Sequence, residues 1–296
     1  MRIRISLPQQ TLELHDEHGS LLRRYPVSTA SNGAGEQNGS FCTPRGRHIV
    51  RAKVGAGETA NMVFVRRRPT GEVWTPQLAE QFPDRDWILT RILWLSGTEP
   101  GRNRLGEVDT MRRYIYLHGS PDSVPMGTPG SIGCVRMRNS DIVELFDMIP
   151  PYTPVDIVEF GIVAGSWDEL GEAARQVREA VFVVEQRVPR NIEADPRDRV
   201  SRHVIARDGE GVAVGTGRLL PDGQLGRLAV RGDWRGKGVG RALLERLLEE
   251  ADRQDQRYLG LHAQTMAAGF YRGFGFVAEG PEFIEAGIPH QTMVKR

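Results

Sequence analysis

The sequence predicts two domains in tandem: a mainly β domain over residues 1–158, followed by an α/β domain over residues 159–296. Three observations carry that expectation. A chain of 296 residues holds two domains of ordinary size, each with its own core. The first half consists of short runs in which apolar and polar side chains alternate between turn residues, the pattern of antiparallel strands. Near Val158 the pattern changes, and strand-like runs begin to alternate with stretches of helical periodicity, as in α/β domains.

In chain order, residues 2–7, 11–15 and 21–28 alternate and are separated by Pro8-Gln9 and His18-Gly19-Ser20. A Gly/Asn/Ser-rich loop (31–40) leads to a strand over 44–54. Arg66-Arg67-Arg68, the only basic run, reads as a solvated edge or loop. Residues 87–89 and 91–95 form a pair of strand-like runs before the long loop GTEPGRNRLG. Residues 114–117 read as a strand that ends at His118. A Gly/Pro/Ser-rich loop then delivers Ser131-Ile132-Gly133-Cys134-Val135-Arg136. Asn139-Ser140-Asp141 is expected to cap a short helix whose Ile142, Leu145, Phe146 and Ile149 share one face, and Pro150-Pro151 stops it.

The second half opens with Ser166 as a cap for a helix running to about Gln186, with Leu170, Ala174, Val177, Val181 and Val184 at helical spacing. Strands follow over 202–207 and 212–220, around a turn at Asp208-Gly209, and over 225–230. The segment RGDWRGKGVG enters a helix with Leu243, Leu244, Leu247, Leu248 and Ala251 on one face. A strand (258–262), the short helix AAGFYRGF and two further strands complete the chain. Residues 155–158 and 160–163 read as consecutive strands with almost nothing flexible between them, which predicts a fixed geometry between the halves.

Composition excludes several classes. A net charge of +1 and a charged fraction of 26% describe a soluble globular protein without the dense basic face that nucleic acid requires. MRIRISLPQQ lacks the apolar run of roughly 7–15 residues that a secretory signal needs, and no segment is apolar enough to span a membrane. The seven histidines show no metal-ligand spacing with cysteine or carboxylate, so no metal is expected. For Cys42 and Cys134, two free thiols in a reducing compartment is a simpler account than a disulfide.

Cys134 is a candidate nucleophile and His118 a candidate base. A free thiol with a pKa of about 8.5 is only slightly ionised at neutral pH, and a neighbouring imidazole corrects this. The amides of Gly133 and Cys134 are placed to donate to a developing oxyanion, and Arg136 to hold a carboxylate or orient the loop. The bland alternative is a buried cysteine acting as a small hydrophobe. The composite pattern, His118-Gly119, then thirteen residues, then S-x-G-C-x-R, together with Thr43-Pro44-Arg45-Gly46, resembles the YkuD-type L,D-transpeptidases over about residues 1–158. That resemblance implies attack by the Cys134 thiolate on a diaminopimelate-type carbonyl of a peptidoglycan stem peptide. It makes His118 base then acid, the Gly119 carbonyl its orienting partner, and Ser131 and Arg136 supports of loop and substrate.

Arg235-Gly236-Lys237-Gly238-Val239-Gly240 lies between a strand and a helix, a junction that suits a pyrophosphate and equally an ordinary tight turn. With L-A-V before it and Phe270-Tyr271-x-x-x-Gly275-Phe276 some thirty residues on, it resembles the GNAT acetyltransferases. VFVVEQRVP, LHAQ and EAGIPHQTMVK resemble their ElaA-type branch. The resemblance covers about residues 159–296. It implies acetyl-CoA held by the amides of residues 235–240 and by the strand backbone at Leu228 and Val230, with Tyr271 as general acid. Gln264 stands where many members have asparagine. A core tyrosine is the alternative for Tyr271. Glu185, His203 and His262 are the candidates for a base toward a primary-amine acceptor.

The expectation is a bifunctional enzyme, an L,D-transpeptidase-like acyltransferase fused to an N-acetyltransferase. Two other classes stay open: a peptide-binding module that feeds the acetyltransferase, and a cysteine enzyme with an acetyl-CoA sensor. The family of the first half usually works outside the cytoplasm. The missing signal and the cytoplasmic cofactor instead predict a cytoplasmic enzyme acting on wall precursors or recycled muropeptides.

Overall fold

The computed structural model describes residues 1–296. The chain separates into two compact units, Met1–His15 with Leu22–Glu159, and Asp16–Leu21 with Phe160–Arg296.

In the first unit, alternation yields β1 (Arg2–Ser6), β2 (Thr11–His15) and β3 (Leu21–Pro26). Ile3 faces Leu14 and Ile5 faces Leu12 across the β1–β2 ladder, and all four are fully buried. There follow β4 (Gly46–Val54), β5 (Met62–Val65), β6 (Arg68–Val73), α1 (Pro76–Gln81), β7 (Leu89–Gly97), β8 (Tyr116–Ser120), β9 (Val135–Arg138), α2 (Asn139–Met148) and β10 (Pro154–Val158). They form one mixed sheet of ten strands, ordered β3-β2-β1-β10-β4-β7-β5-β6, with β8 on β7 and β9 on β8. The β1–β10 and β8–β9 pairs are parallel. Helix α2 lays Ile142, Leu145 and Phe146 on a core that includes Leu93, Leu95, Leu117, Val135 and Met137. Each such side chain contributes about 1.5–3 kcal/mol on burial.

Several sequence expectations shift here. The runs at 87–89 and 91–95 belong together: β7 is one strand whose register slips between Leu89 and Ile92, where Thr90 takes a φ of 70°. Thr90 Oγ1 donates to Asn139 Oδ1 at 2.5 Å, and Asn139 Nδ2 donates to Asn61 Oδ1 at 2.8 Å. Asn139 therefore ties α2 to the β7 bulge and does not cap it; the N-cap position is Arg138, with no side-chain cap bond. The expected strand at 114–117 starts later, at Tyr116, so His118 lies inside β8 and not at its end. The hairpin β5–β6 and helix α1 had no counterpart in the sequence reading.

In the second unit, β11 (Phe160–Gly165), β12 (Arg202–Asp208), β13 (Ala213–Leu219) and β14 (Leu225–Val230) form an antiparallel sheet in sequence order. Helix α3 (Trp167–Arg178) starts in a capping box made by Ser166 and Glu169, and continues as a π-helical stretch, Glu179–Glu185. The short α4 (Arg190–Glu193) follows, and α5 (Val239–Arg253) comes after β14. The two long helices cover opposite faces. Leu170, Ala174 and Val177 of α3 pack with Ile205 and Ala229, whose strand partner is Thr216. On the other face a Cβ at Gly215 would come within 2.8 Å of Leu243, and one at Gly217 within 2.8 Å of Leu247, so glycine is what lets α5 close on β13.

A second sheet contains β15 (Leu259–Gln264), β16 (Val277–Ala278), β17 (Phe283–Glu285) and β18 (Ile288–Lys295), with α6 (Ala268–Arg272) between β15 and β16. Three strands close the chain where two were expected. The β14 and β15 strands run parallel but meet only at the bridge Gln224–Gly260. Beyond it β14 pairs with β13 and β15 with β18, so a cleft opens between the two strands. No helix is long and apolar enough to cross a membrane.

Candidate active sites

The first constellation is set by the parallel β8–β9 register, in which Leu117 faces Val135 and His118 faces Arg136. Strand alternation sends Leu117, Val135 and Met137 into the core and puts Tyr116, His118, Cys134 and Arg136 on the other face. The register thus sets His118 diagonally across from Cys134, which immediately precedes β9.

Backbone groups fix both. Cys134 Sγ accepts from Tyr116 N–H at 3.4 Å and donates to the Tyr114 carbonyl at 3.5 Å. His118 Nδ1 donates to the Gly119 carbonyl at 2.8 Å, which assigns the proton to that nitrogen and leaves Nε2 as the lone-pair acceptor. That Nε2 is buried and has no partner. Burial pushes the Cys134 thiol up to about 12 and lowers the His118 imidazole, so both are neutral at rest.

The loop that carries Cys134 is held by its own side chains and by Thr43. Ser131 Oγ donates to the Cys134 carbonyl at 2.5 Å and accepts from Gly133 N–H at 3.2 Å. The Gly133 amide is therefore engaged inside the loop, a correction to its expected oxyanion role. Arg136 donates to the Gly130 carbonyl at 2.9 Å and to Asp86 at 2.7 Å, so in this state it braces the loop. Thr43, the first residue of T-P-x-G, accepts from Ala30 N–H and donates to the Gly133 carbonyl, both at 3.0 Å. Sequence reasoning missed Asp86, which has no motif around it, and the staple made by Thr43, although its motif was in view. Both cysteines are free.

The second constellation surrounds a cavity of about 390 Å³ between β14 and β15, which Leu228, Gln264, Tyr271, His262, Glu285 and Arg227 help to line. The β13–β14 register shifts between Thr216 and Arg218, opposite Arg227, whose φ is 53°. This bulge breaks the ladder at Arg227 and Leu228, whereas Val230 stays in register with Gly215 and its carbonyl accepts from Arg235 Nε at 3.0 Å. Gln264 Nε2 donates to Gln186 Oε1 at 3.0 Å. Tyr271 packs edge-on to Phe270 and Phe276, and burial lifts its phenol to about 12.

The loop after β14 fits a pyrophosphate. Gly238, the N-cap of α5, has a φ of 86° and Gly236 one of 74°, and a Cβ at either would meet nothing within 4 Å. No side chain caps α5 and no acid lies in its first turn, so its leading amides and positive dipole end are left for an anion. Among residues 235–240, the Arg235 amide is already taken by the Gly232 carbonyl at 3.3 Å. The two loop cations are parked: Arg235 pairs with both oxygens of Glu185 at 2.7 Å, and Lys237 Nζ sits 4.8 Å above the Trp234 ring. Val239 is buried, and Gly240 lies 3.7 Å from Val230 Cγ2 by its virtual Cβ.

The three candidate bases separate cleanly. Glu185 is the partner of Arg235, which holds its carboxyl below the ordinary range. His203 is buried against Trp167 and bonded to the Asp198 carbonyl at 2.8 Å; burial lowers its imidazole, and it does not line the cavity. His262 does line the cavity, with Nδ1 3.0 Å from Glu285 Oε2.

Residues 1–157 match the L,D-transpeptidase catalytic domain family (YkuD), and residues 168–296 match the acetyltransferase (GNAT) domain family. The chain is 38% identical over 138 residues to the uncharacterized N-acetyltransferase YjcF of Bacillus subtilis, covering 45% of this chain and 97% of that protein. Among solved structures, an acyl-CoA N-acyltransferase from Pseudomonas aeruginosa aligns at 32% identity over 46% of this chain and 99% of the other, with a TM-score of 0.43. Escherichia coli ElaA aligns at 29% identity over 46% and 99%, also with a TM-score of 0.43.

Proposed function

Since the chain belongs to the L,D-transpeptidase catalytic domain family over residues 1–157 and to the GNAT acetyltransferase family over residues 168–296, we propose that it is a bifunctional enzyme. It remodels peptidoglycan stem peptides through Cys134 and acetylates a primary amine through the second domain, with the domain boundary at 158/159. Acetyl-CoA is the cofactor of the GNAT fold.

The observation that carries the first half is the buried, unpartnered Nε2 of His118 on the same face as Cys134. With the thiol pushed up to about 12 and the imidazole lowered, burial disfavours a resting thiolate–imidazolium pair. Proton transfer therefore accompanies attack. The thiol proton passes to His118 Nε2 as sulfur adds to the carbonyl of the diaminopimelate-type residue, and the Cys134 amide donates to the oxyanion. The C–N bond breaks, His118 returns its proton to the departing D-amino acid, and a thioester remains on Cys134. An incoming amine or water then gives its proton to His118 as it adds to the thioester carbonyl, the C–S bond breaks, and His118 returns that proton to the Cys134 sulfur. Gly119 orients the base, and Ser131, Gly133 and Arg136 hold the loop.

In the second domain, bound acetyl-CoA supplies the thioester carbonyl and a thiolate leaving group. The amides of Gly236 to Gly240, with backbone at Leu228 and Val230, hold it, and Gln264 supports the cleft. His262, backed by Glu285, takes the proton of the acceptor amine at Nε2. Tyr271, fully protonated at neutral pH, holds a proton at its hydroxyl for the sulfur. Dependence on acetyl-CoA supports action in the cytoplasm on wall precursors or recycled muropeptides; recovery of the native protein outside it on cell fractionation would count against that placement.

The test is mass spectrometry of a muropeptide tetrapeptide incubated with the protein, with and without acetyl-CoA. Loss of the terminal residue or a cross-linked product is expected, and an added acetyl mass on that product would place the two reactions in series. An unchanged peptide under both conditions overturns the assignment to peptidoglycan.

A further inference from the structure

The basic run Arg66-Arg67-Arg68, which the sequence alone assigns to a solvated edge, forms the tip of the β5–β6 hairpin. Its two-residue loop has φ values of 48° at Arg66 and 67° at Arg67. That is the backbone of a type I′ turn, which normally takes Asn-Gly, so two arginines there hold a conformation costly for side chains with a Cβ. Arg67 does not trail into solvent. Its guanidinium carbon lies 4.2 Å from the Trp94 ring centroid and 5.0 Å from that of Tyr114, and Nη1 donates to Tyr116 Oη at 3.3 Å.

Tyr114 and Tyr116 are the residues whose backbone groups touch Cys134 Sγ. Both residues that flank the nucleophile therefore carry rings that touch the Arg67 guanidinium, which places it one side chain away from the thiol. No acid pairs with Arg67. Asp86 is engaged by Arg136. A guanidinium seated on two aromatic faces and bonded at one nitrogen keeps a preorganised edge of N–H donors, the geometry that binds a carboxylate bidentately.

We propose that Arg67 is a substrate-binding residue that receives the C-terminal carboxylate of the acyl donor, the carboxylate of the residue that leaves when Cys134 is acylated. The assignment rests on the transpeptidase reading of Cys134. In such a donor the carboxylate stands one residue beyond the scissile carbonyl, about 3.5 Å of chain, so a cation close to the thiol selects peptides with a free terminus over blocked or internal ones.

The test is equilibrium binding to the full chain carrying Cys134→Ala, followed through tryptophan fluorescence, since Trp94 lies under the guanidinium. The probes are a diaminopimelate-containing stem tetrapeptide with a free C-terminus and the same peptide as its C-terminal amide. The free acid is expected to bind about tenfold more tightly, the size of one charge-assisted contact. Adding Arg67→Gln is expected to bring that ratio close to one, and Arg67→Lys to restore part of it. An unchanged ratio in Arg67→Gln, or binding of neither peptide, overturns the proposal. If the discrimination holds while the wild-type thiol never becomes acylated, Arg67 keeps its role and the transpeptidase reading of Cys134 fails.

Discussion

Cys134 owes its chemistry to burial and not to charge. Its sulfur touches two backbone groups, and the His118 imidazole on the same face is fully buried. Because the thiol is pushed up to about 12, its thiolate fraction should rise tenfold for each pH unit. Alkylation of Cys134 by iodoacetamide in the absence of substrate is therefore expected to climb continuously from pH 7 to 10. A plateau already reached at pH 6 would show a preformed ion pair. The same reasoning separates Tyr271 from its alternative as core packing. Tyr271→Phe keeps the contacts with Phe270 and Phe276 but removes the proton, so kcat for acetyl transfer should fall by about 10²–10³ while KM for acetyl-CoA stays near its wild-type value. Unchanged kcat would make Tyr271 a packing residue. Cys134, His118 and Tyr271 were legible as types in a pattern. Asp86 and Arg67 were not, because each reaches its partner across the sheet, and sequence separation hides such contacts.

Elements divide by where their information lies. Helix α5 and its entry were plain in the sequence because a glycine-rich break followed by leucines at helical spacing is local. The role proposed for it is local as well. Gly238→Ala forces a Cβ into a φ of 86°, a strain of about 1–2 kcal/mol at the anchor of the leading amides. KM for acetyl-CoA should rise roughly tenfold with a smaller change in kcat; an unaffected KM would show that the α5 amides do not hold the cofactor. Strand β7 and the start of α2 were harder to read. Two apolar runs separated by Thr90 look like two strands, and Asn139 looks like a cap, until the Thr90–Asn139–Asn61 bonds show that the bulge and the helix start are one device. The β5–β6 hairpin was invisible for a different reason. Its turn uses arginines where the usual signal is Asn-Gly.

For the whole molecule, charge and burial predict how stability responds to acid. In the first unit, burial lowers His15 to about 3, with Arg4 adding to the effect, and lowers His48 to about 4. Unfolding returns both to about 6.5, so the unfolded state binds more protons below that pH. Their contribution is complete above pH 6.5 and is lost as pH falls, at up to about 1.4 kcal/mol per unit for each histidine. Burial would raise Glu13, but Arg4 and Arg24 overcome it and hold the carboxyl near 2, which extends the loss below pH 4.5. Thermal unfolding should be flat from pH 8 to 7 and fall steeply below 6; a midpoint constant from pH 7 to 5 would contradict this. The two proposed chemistries draw on separate residues of one chain, so Cys134→Ala should leave acetyl-CoA turnover unchanged. The proposed acyl-enzyme on Cys134 is tested most directly by intact-protein mass spectrometry after brief exposure to a stem tetrapeptide. An adduct equal to the donor without its terminal residue is expected on the wild type, much less on His118→Ala and none on Cys134→Ala. No adduct on the wild type, or one that survives Cys134→Ala, would contradict it.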